Sequence, residues 1–531
     1  MGEVHGLISA RLGSYGDGPV RALAGLAMAV VLGVRPGAAI TVPGTDGALD
    51  VDGYVDGLAV VDTGGGARER PQAVGVLRAD ARALRWLRGR LELRSRIGGP
   101  FEGGHQGVYN FVHTYQNRSP VLEVSEAYAD FELPQTDVRV GIQKLAWGRL
   151  DGLPPTDVVN PRDYHDPFVI DVEEAKIGVP ALAGTYHLRP PRGSGVGELR
   201  FSLLWLPFAV PPRLAEIAER WFPTALDPGS AIVLPRRRVE LELERILGTD
   251  VIVPSDVTIP GTLRTVRRRP PLQLDAGGIG GRLSGTWRGM DFSLSHYSGP
   301  ETGPNVDLRP TVILEEPVRP DDAGVVNLKL RSVSDLRQVH DMTHMTGVDW
   351  ATTLGPTTVR AEAAYFLERH FLRDARDLFT PAAIRGQLAE NSQALFHRSR
   401  TLIRVPPLFP GLDAFEWGLG ADYTLAGVFA LAQVTQVILL EDAPRLLIGD
   451  PETRLVALLR RPFLQERFEV ELRGVYAVER GGWFAFPRAS WLIRDDLRLR
   501  VGYLAIGGPR TSLFGQFGRN DEVVMQLRQS F

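Results

Sequence analysis

The side chains best suited to chemistry in this chain are arginines set two residues apart. In Leu87–Ile97, which reads LRGRLELRSRI, Arg88, Arg90, Arg94 and Arg96 share one parity with Glu92. Arg139 with Gln143, Arg360 with Glu362, Arg498 with Arg500, and Arg528 recur at the same spacing. A guanidinium is a planar fork that holds a carboxylate or phosphate through two parallel hydrogen bonds. Such rows read as a charged lining that guides anionic solutes, or as filler paired with Glu92, Glu126, Asp130, Glu469 and Glu471. Only Lys144, Lys176 and Lys329 stand among the 60 basic residues, so the arginines also reflect composition.

A second concentration of reactive groups is Trp147–Phe168, WGRLDGLPPTDVVNPRDYHDPF, with Asp151, Asp157, Asp163 and Asp166. Three readings fit it: a rim loop stiffened by prolines, a constriction loop folded into a pore, or an oxygen-ligand calcium site. The spacing does not match an EF-hand. Catalysis has little to stand on. The ten histidines include no H-E-x-x-H, no G-x-S-x-G is present, and His340 with His344 reads as rim histidines rather than a metal pair. The absence of cysteine excludes disulfide scaffolds, thiolate zinc sites and Cys nucleophiles. No metal and no cofactor is expected, and no enzyme.

The elements that position these residues follow from the spacing itself. A period of two is a strand's, since a helix would scatter both sets around its axis. The same alternation runs through Val138–Gln143, Thr358–Leu367, Phe468–Gly474 and Leu497–Tyr503. Alternation alone would suit a soluble sandwich, a propeller or a membrane barrel; the connections separate them. Tight turns at Trp287-Arg288-Gly289, Leu354-Gly355-Pro356, Leu425-Ala426-Gly427, Arg461-Pro462 and Arg494-Asp495-Asp496 take turns with long segments. The long ones are Ser298–Val339, Arg369–Asp413, Leu440–Glu452 and Ile506–Glu522, with Glu479–Gly482 as the short exception. Short turns on one side and long loops on the other describe a transmembrane barrel. No repeat of propeller length is present. With the first strand rising at Leu49–Val61, another rising at Val138–Trp147 and the last descending at Glu522–Phe531, the count is even, about 16–18. The pairing around Val172–Arg200 is left open.

Composition agrees. The chain has 531 residues, a net charge of −3 and no run of 18 apolar residues, which excludes a helical membrane bundle but not a barrel. The lack of a basic excess argues against nucleic acid as a partner. Residues 22–34, ALAGLAMAVVLGV, behind Arg11 and Arg21 and before Pro36, have the layout of a signal peptide, so 1–39 is expected to be a leader and 40–531 the barrel.

Three stretches resemble Gram-negative outer-membrane porins: the C-terminal NDEVVMQLRQSF, the segment Glu126–Asp163 with its E-x-Y, R-x-G-x-Q, W-G and D-x-x-N-P order, and Gly280–Pro300. The nearest comparison is the proteobacterial porin-like outer-membrane family, with alginate-export-like barrels more distant. The resemblance implies an all-β, closed antiparallel transmembrane barrel in the outer membrane. It also implies that the terminal Phe531 is the mark read by the barrel-assembly machinery. Partners are then outer-membrane lipids, that machinery and small-molecule solutes. The expected function is passive diffusion of small solutes, with preference for anionic or carboxylate compounds. The rivals are a lipid- or peptide-hydrolysing barrel enzyme and a scaffold barrel sheathing a partner. Pro207–Leu272 lies outside the resemblance.

Overall fold

In the computed structural model the described residues are 40–41, 48–64, 71–98, 121–168, 174–190, 192–215, 217, 219–266, 273–274, 276–442 and 444–531. The expected leader lies outside them; the first described residues, Ile40–Thr41, pair briefly with the first strand of the wall. Among the described residues, 18 antiparallel strands form one ring in chain order. The first, Ala48–Asp62, pairs with Gln72–Leu84 on one side and with the last, Glu522–Ser530, on the other. That second pairing closes the barrel and leaves no edge.

The turns have sequence causes. Trp287 pairs with Met290 and Leu425 with Val428, so each hairpin has two central residues, and a type I′ turn needs positive φ at both. Arg288 (48°) with Gly289 (82°), and Ala426 (49°) with Gly427 (76°), supply it. One expected turn is displaced. Arg461-Pro462 continues the strand Glu452–Phe463, and the chain reverses at Leu464-Gln465-Glu466, all with positive φ. Proline is tolerated there because the neighbour Val428–Leu439 stops pairing at Arg460, so the missing N–H falls where no ladder bond is required.

Alternation sets the two faces. Leu203, Ile279, Leu294, Val348 and Met525 stand exposed on the outside, while Arg94, Arg96, Asp349, Glu362 and Glu471 are buried within. Exposed aromatics form two belts: Trp205, Tyr476, Trp483 and Tyr503 near the long-loop end, and Trp86, Trp287, Tyr423, Phe463 and Trp491 near the short-turn end. Trp483 and Trp491 are eight positions apart in the strand Trp483–Arg494, about 26 Å at ~3.3 Å per residue, a span that suits a hydrocarbon layer once the strand is tilted. An apolar band between aromatic girdles around a polar interior is the build of an outer-membrane barrel.

The open stretch around 172–200 resolves into the hairpin Val179–Leu188 and Val196–Leu206. The described residues between Pro207 and Val266 belong to a cap on the long-loop side. With the excursions between Pro300 and Met342 and between His370 and Gly411, they build a separate five-stranded sheet ordered Ser399–Leu402, Val306–Leu314, Leu330–Gln338, Val257–Val266, Ala231–Leu234. The helices Arg236–Leu247 and Pro381–Glu390 pack Val239, Leu243 and Ile384 onto it, against Ile259, Val312 and Ile403.

The orientation of the wall is directly testable. Leu294 sits mid-strand on the outer face, so Leu294→Arg is expected to cost about 2–4 kcal/mol in urea-driven unfolding from bilayers. A cost near zero would show that this face does not meet lipid.

Candidate functional site

Between Gln143 and Val179 the described residues, 144–168 and 174–178, turn into the ring rather than out to the rim. The expected strand Val138–Trp147 stops at Gln143 because side chains take the next backbone donors: Lys144 N–H donates to Glu126 (3.2 Å) and Leu145 N–H to Asn160 Oδ1 (2.7 Å). Trp147 then swings inward and meets Tyr297 edge-on, ring centres 6.2 Å apart.

From there the segment touches strands around the whole ring. Arg149 pairs with Asp349 (2.5 Å), and Asp151 with Arg360 (3.2 Å). The Phe168 carbonyl accepts from Arg473, and its ring packs on Phe484 and Trp221. Glu174 meets Arg94 (3.7 Å) and Arg528 (3.4 Å). A chain that reaches opposite walls of a closed ring must cross its interior. Val158 and Val159 bury against Val124, Leu204 and Val437 in the process.

Three of the four aspartates take cationic partners of their own. Asp157 is neutralised by Arg162 (2.9 Å) and Lys176 (3.1 Å), and Asp151 by Arg360. Asp163, 1% exposed at its side chain, sits between Arg96 (2.8 Å), His165 (2.8 Å) and Arg213 (3.3 Å). Asp166 is buried nearby. Burial alone would raise the Asp163 carboxyl, yet His165, Arg96 and Arg213 hold it well below the usual carboxylate range. Arg213 also grips Glu123 at 2.8 Å, which ties the inward segment to the first residues of the cap excursion.

The arginines picked out by spacing all turn toward the interior. Arg88 meets Glu132 (3.0 Å), Arg90 meets Glu126 (3.1 Å), and Arg139 grips Asp130 through two bonds of 2.6 and 2.8 Å. Arg94 donates to the Glu174 carbonyl (2.9 Å), and Gln143 to the Ala181 carbonyl (3.0 Å). Arg360 also binds Asp422. Arg528 lies 3.8 Å above the Tyr54 ring and makes two 2.7 Å bonds to Asp56 across the closing seam. Arg498 is exposed beside it in register.

One region gathers several arginines. Arg94, Arg96, Arg488, Arg500 and Arg528 line a single cleft with Asp56 and Glu174. Arg500 reaches the neutral Gln526 at 3.4 Å. Arg149, Arg213, Glu174, Arg473 and Arg488 were not singled out from sequence, because long-range pairing across a ring leaves no local spacing. Inward glycines at Gly347, Gly418 and Gly420 were a signal available but unused: glycine inside a strand often marks a close backbone approach.

No protein-family model and no curated protein matches the chain. Solved structures to which it is similar include three bacterial outer-membrane proteins. Salmonella typhi OmpF, in complex with daunomycin, is 10% identical with a TM-score of 0.37, over 93% of this chain and 100% of that one. Pseudomonas aeruginosa OccK8 (OprE) is 9% identical with a TM-score of 0.42, over 91% and 98%. The outer membrane channel DcaP of Acinetobacter baumannii is 9% identical with a TM-score of 0.38, over 93% and 100%.

Asp163 gives a prediction with a sign. Its folded pKa lies below the unfolded value of ~3.9, so its stabilisation is complete above that value and fades only as pH falls through the lower folded one. Lowering pH from 7 to about 5 should leave thermal unfolding unchanged on this account. Asp163→Asn, which removes a buried carboxylate from between Arg96, His165 and Arg213, should cost about 3–5 kcal/mol at either pH.

Proposed function

We propose that the chain is an outer-membrane porin-like channel admitting small solutes by passive diffusion, with a preference for anionic, carboxylate-bearing ones. The observation that carries the reading is the closed ring of 18 strands with apolar side chains outside and guanidinium groups inside. In lipid every wall N–H and C=O must bond within the protein, and a closed ring achieves this while keeping a polar interior. Barrels of this strand number usually enclose an aqueous passage. On this reading residues 144–168 and 174–178 narrow the passage, with Asp151, Asp157 and Asp163 anchoring them.

The anionic preference rests on the cleft lined by Arg94, Arg96, Arg488, Arg500 and Arg528, a concentration of guanidinium groups in which Arg94, Arg96, Arg488 and Arg528 also meet Glu174, Asp163, Glu471 and Asp56. Fork-shaped donors at a wall would bind a passing carboxylate and release it to the next. The rival in which the barrel sheathes another protein is disfavoured because the chain's own segment occupies the place such a partner would take. Phe531 pairs its backbone with Gly53 (3.0 Å) at the short-turn end, where it would be presented as the assembly mark.

Purified protein in a planar bilayer should show steady conductance; none in any salt would reject the channel. Arg500→Ala should lower the anion-to-cation permeability ratio by about two- to fivefold at low ionic strength and less at high, since salt screens the lost charge. An unchanged ratio would remove the anionic preference and leave the channel. Deleting Phe531 should reduce the amount of folded protein in the outer membrane without altering conductance of what is assembled.

A further inference from the structure

The inward segment meets the wall most closely at one place, and the wall is shaped to receive it. Glu362, 3% exposed, lies mid-strand in Thr357–His370. Its Oε1 accepts the backbone N–H groups of Arg149 and Leu150, the second at 2.7 Å. Its Oε2 accepts the N–H of Thr156 (3.1 Å) and the Thr156 hydroxyl (2.8 Å). Both oxygens are therefore filled by donors from one short stretch of chain. The backbone comes so near that a Cβ at Gly148, where φ is +90°, would stand 2.9 Å from Glu362 Oε1.

The strands beside Glu362 carry glycine at inward positions where a side chain would block this approach. A Cβ at Gly418 would lie 2.5 Å from Leu150 Cδ1, one at Gly420 3.1 Å from Leu150 Cδ2, and one at Gly347 2.7 Å from Thr156 Cγ2. Leu150, 6% exposed, fills the notch the glycines leave. The contacts Arg149–Asp349 and Asp151–Arg360 flank it on either side.

We propose that Glu362 is a positioning residue: it pins residues 148–156 into a glycine-lined socket in the wall, and this docking sets the width of the pore. The inference rests on the diffusion-channel reading for its consequence, though not for the docking itself. An alanine at 362 leaves three buried N–H groups without an acceptor, which the segment can satisfy only by leaving the wall for water. A glutamine loses one of the two donor pairs whichever way its amide turns, because the NH₂ group cannot accept. The order of effect is therefore alanine, then glutamine, then native.

The chain contains no cysteine, so single-thiol reporters are clean. A thiol introduced by Leu150→Cys is protected in the docked state. Adding Glu362→Ala should speed its reaction with a small maleimide in folded protein by at least about tenfold, with Glu362→Gln between. In planar bilayers Glu362→Ala should give larger, noisier single-channel currents. A disulfide between Thr156→Cys and Gly347→Cys in that background should restore native currents, and reduction should undo the restoration. Gly420→Leu, which fills the notch and keeps Glu362, provides a second route should the alanine variant not fold, and it too should expose the reporter thiol at position 150. Equal maleimide rates in native and variant barrels that both migrate as folded would overturn the pin. Faster labelling with no current from any variant would leave the pin standing and reject the channel.

Discussion

Everything in this molecule follows from the pairing of Ala48–Asp62 with Glu522–Ser530. Hydrocarbon offers no hydrogen bonds, so a sheet in lipid cannot end in an edge, and the chain's first strand must bond to its last. Closure then does more than satisfy the backbone. It divides the side chains of every strand into two populations with different solvents, and a strict alternation in sequence becomes a strict separation of oil from charge. The seam is reinforced from within: Arg528 on the last strand grips Asp56 on the first, stacks on Tyr54 and reaches Glu174 of the inward segment. One guanidinium therefore joins the two ends of the wall to its filling.

A closed, polar interior must in turn be charge-balanced. Most inward arginines meet a carboxylate, on the adjacent strand as in Arg139–Asp130 or on the inward segment as in Arg96–Asp163. The segment's own composition suits this task. Asp151, Asp157 and Asp163 face wall or loop cations, the prolines limit the entropy of holding an irregular path, and Asn160 takes up the Leu145 N–H while donating to the Ile177 carbonyl. Irregular backbone at membrane depth is tolerated here because protein surrounds it. Arg213 carries the same logic outward, since its links to Asp163 and Glu123 hold the base of the cap to both wall and filling.

The wall was legible from sequence to the level of strand order and direction, because period-two alternation and turn residues are local signals that lipid makes strict. Where reading slipped, a local signal was overridden. Pro462 looked like a turn and instead fell beyond the last pair made with the neighbouring strand. Lys144–Trp147 looked like more strand, but Glu126 and Asn160 captured its donors. The excursion after Leu206 has no alternation to extrapolate, and its partner strands come from two other excursions far along the chain. The inward position of residues 144–168 and 174–178 was one option among three, since their prolines and aspartates suit a rim equally well. What decides it is a set of contacts with residues such as Glu362, more than 200 positions away.

The near-zero net charge of the chain is a poor guide to the field a solute would meet. Glu471 is matched to Arg488 and Glu92 to Arg78, so each leaves little potential a few ångströms off. Cancellation is uneven, however. Around Glu362 the acceptors are filled by backbone donors rather than by cations, which leaves that wall with its negative charge held in place by N–H dipoles. Around the seam the guanidinium groups of Arg94, Arg96, Arg488 and Arg528 meet Glu174, Asp163, Glu471 and Asp56. The socket around Glu362 and the arginine cleft at the seam stand on different walls, so either can be altered without the other.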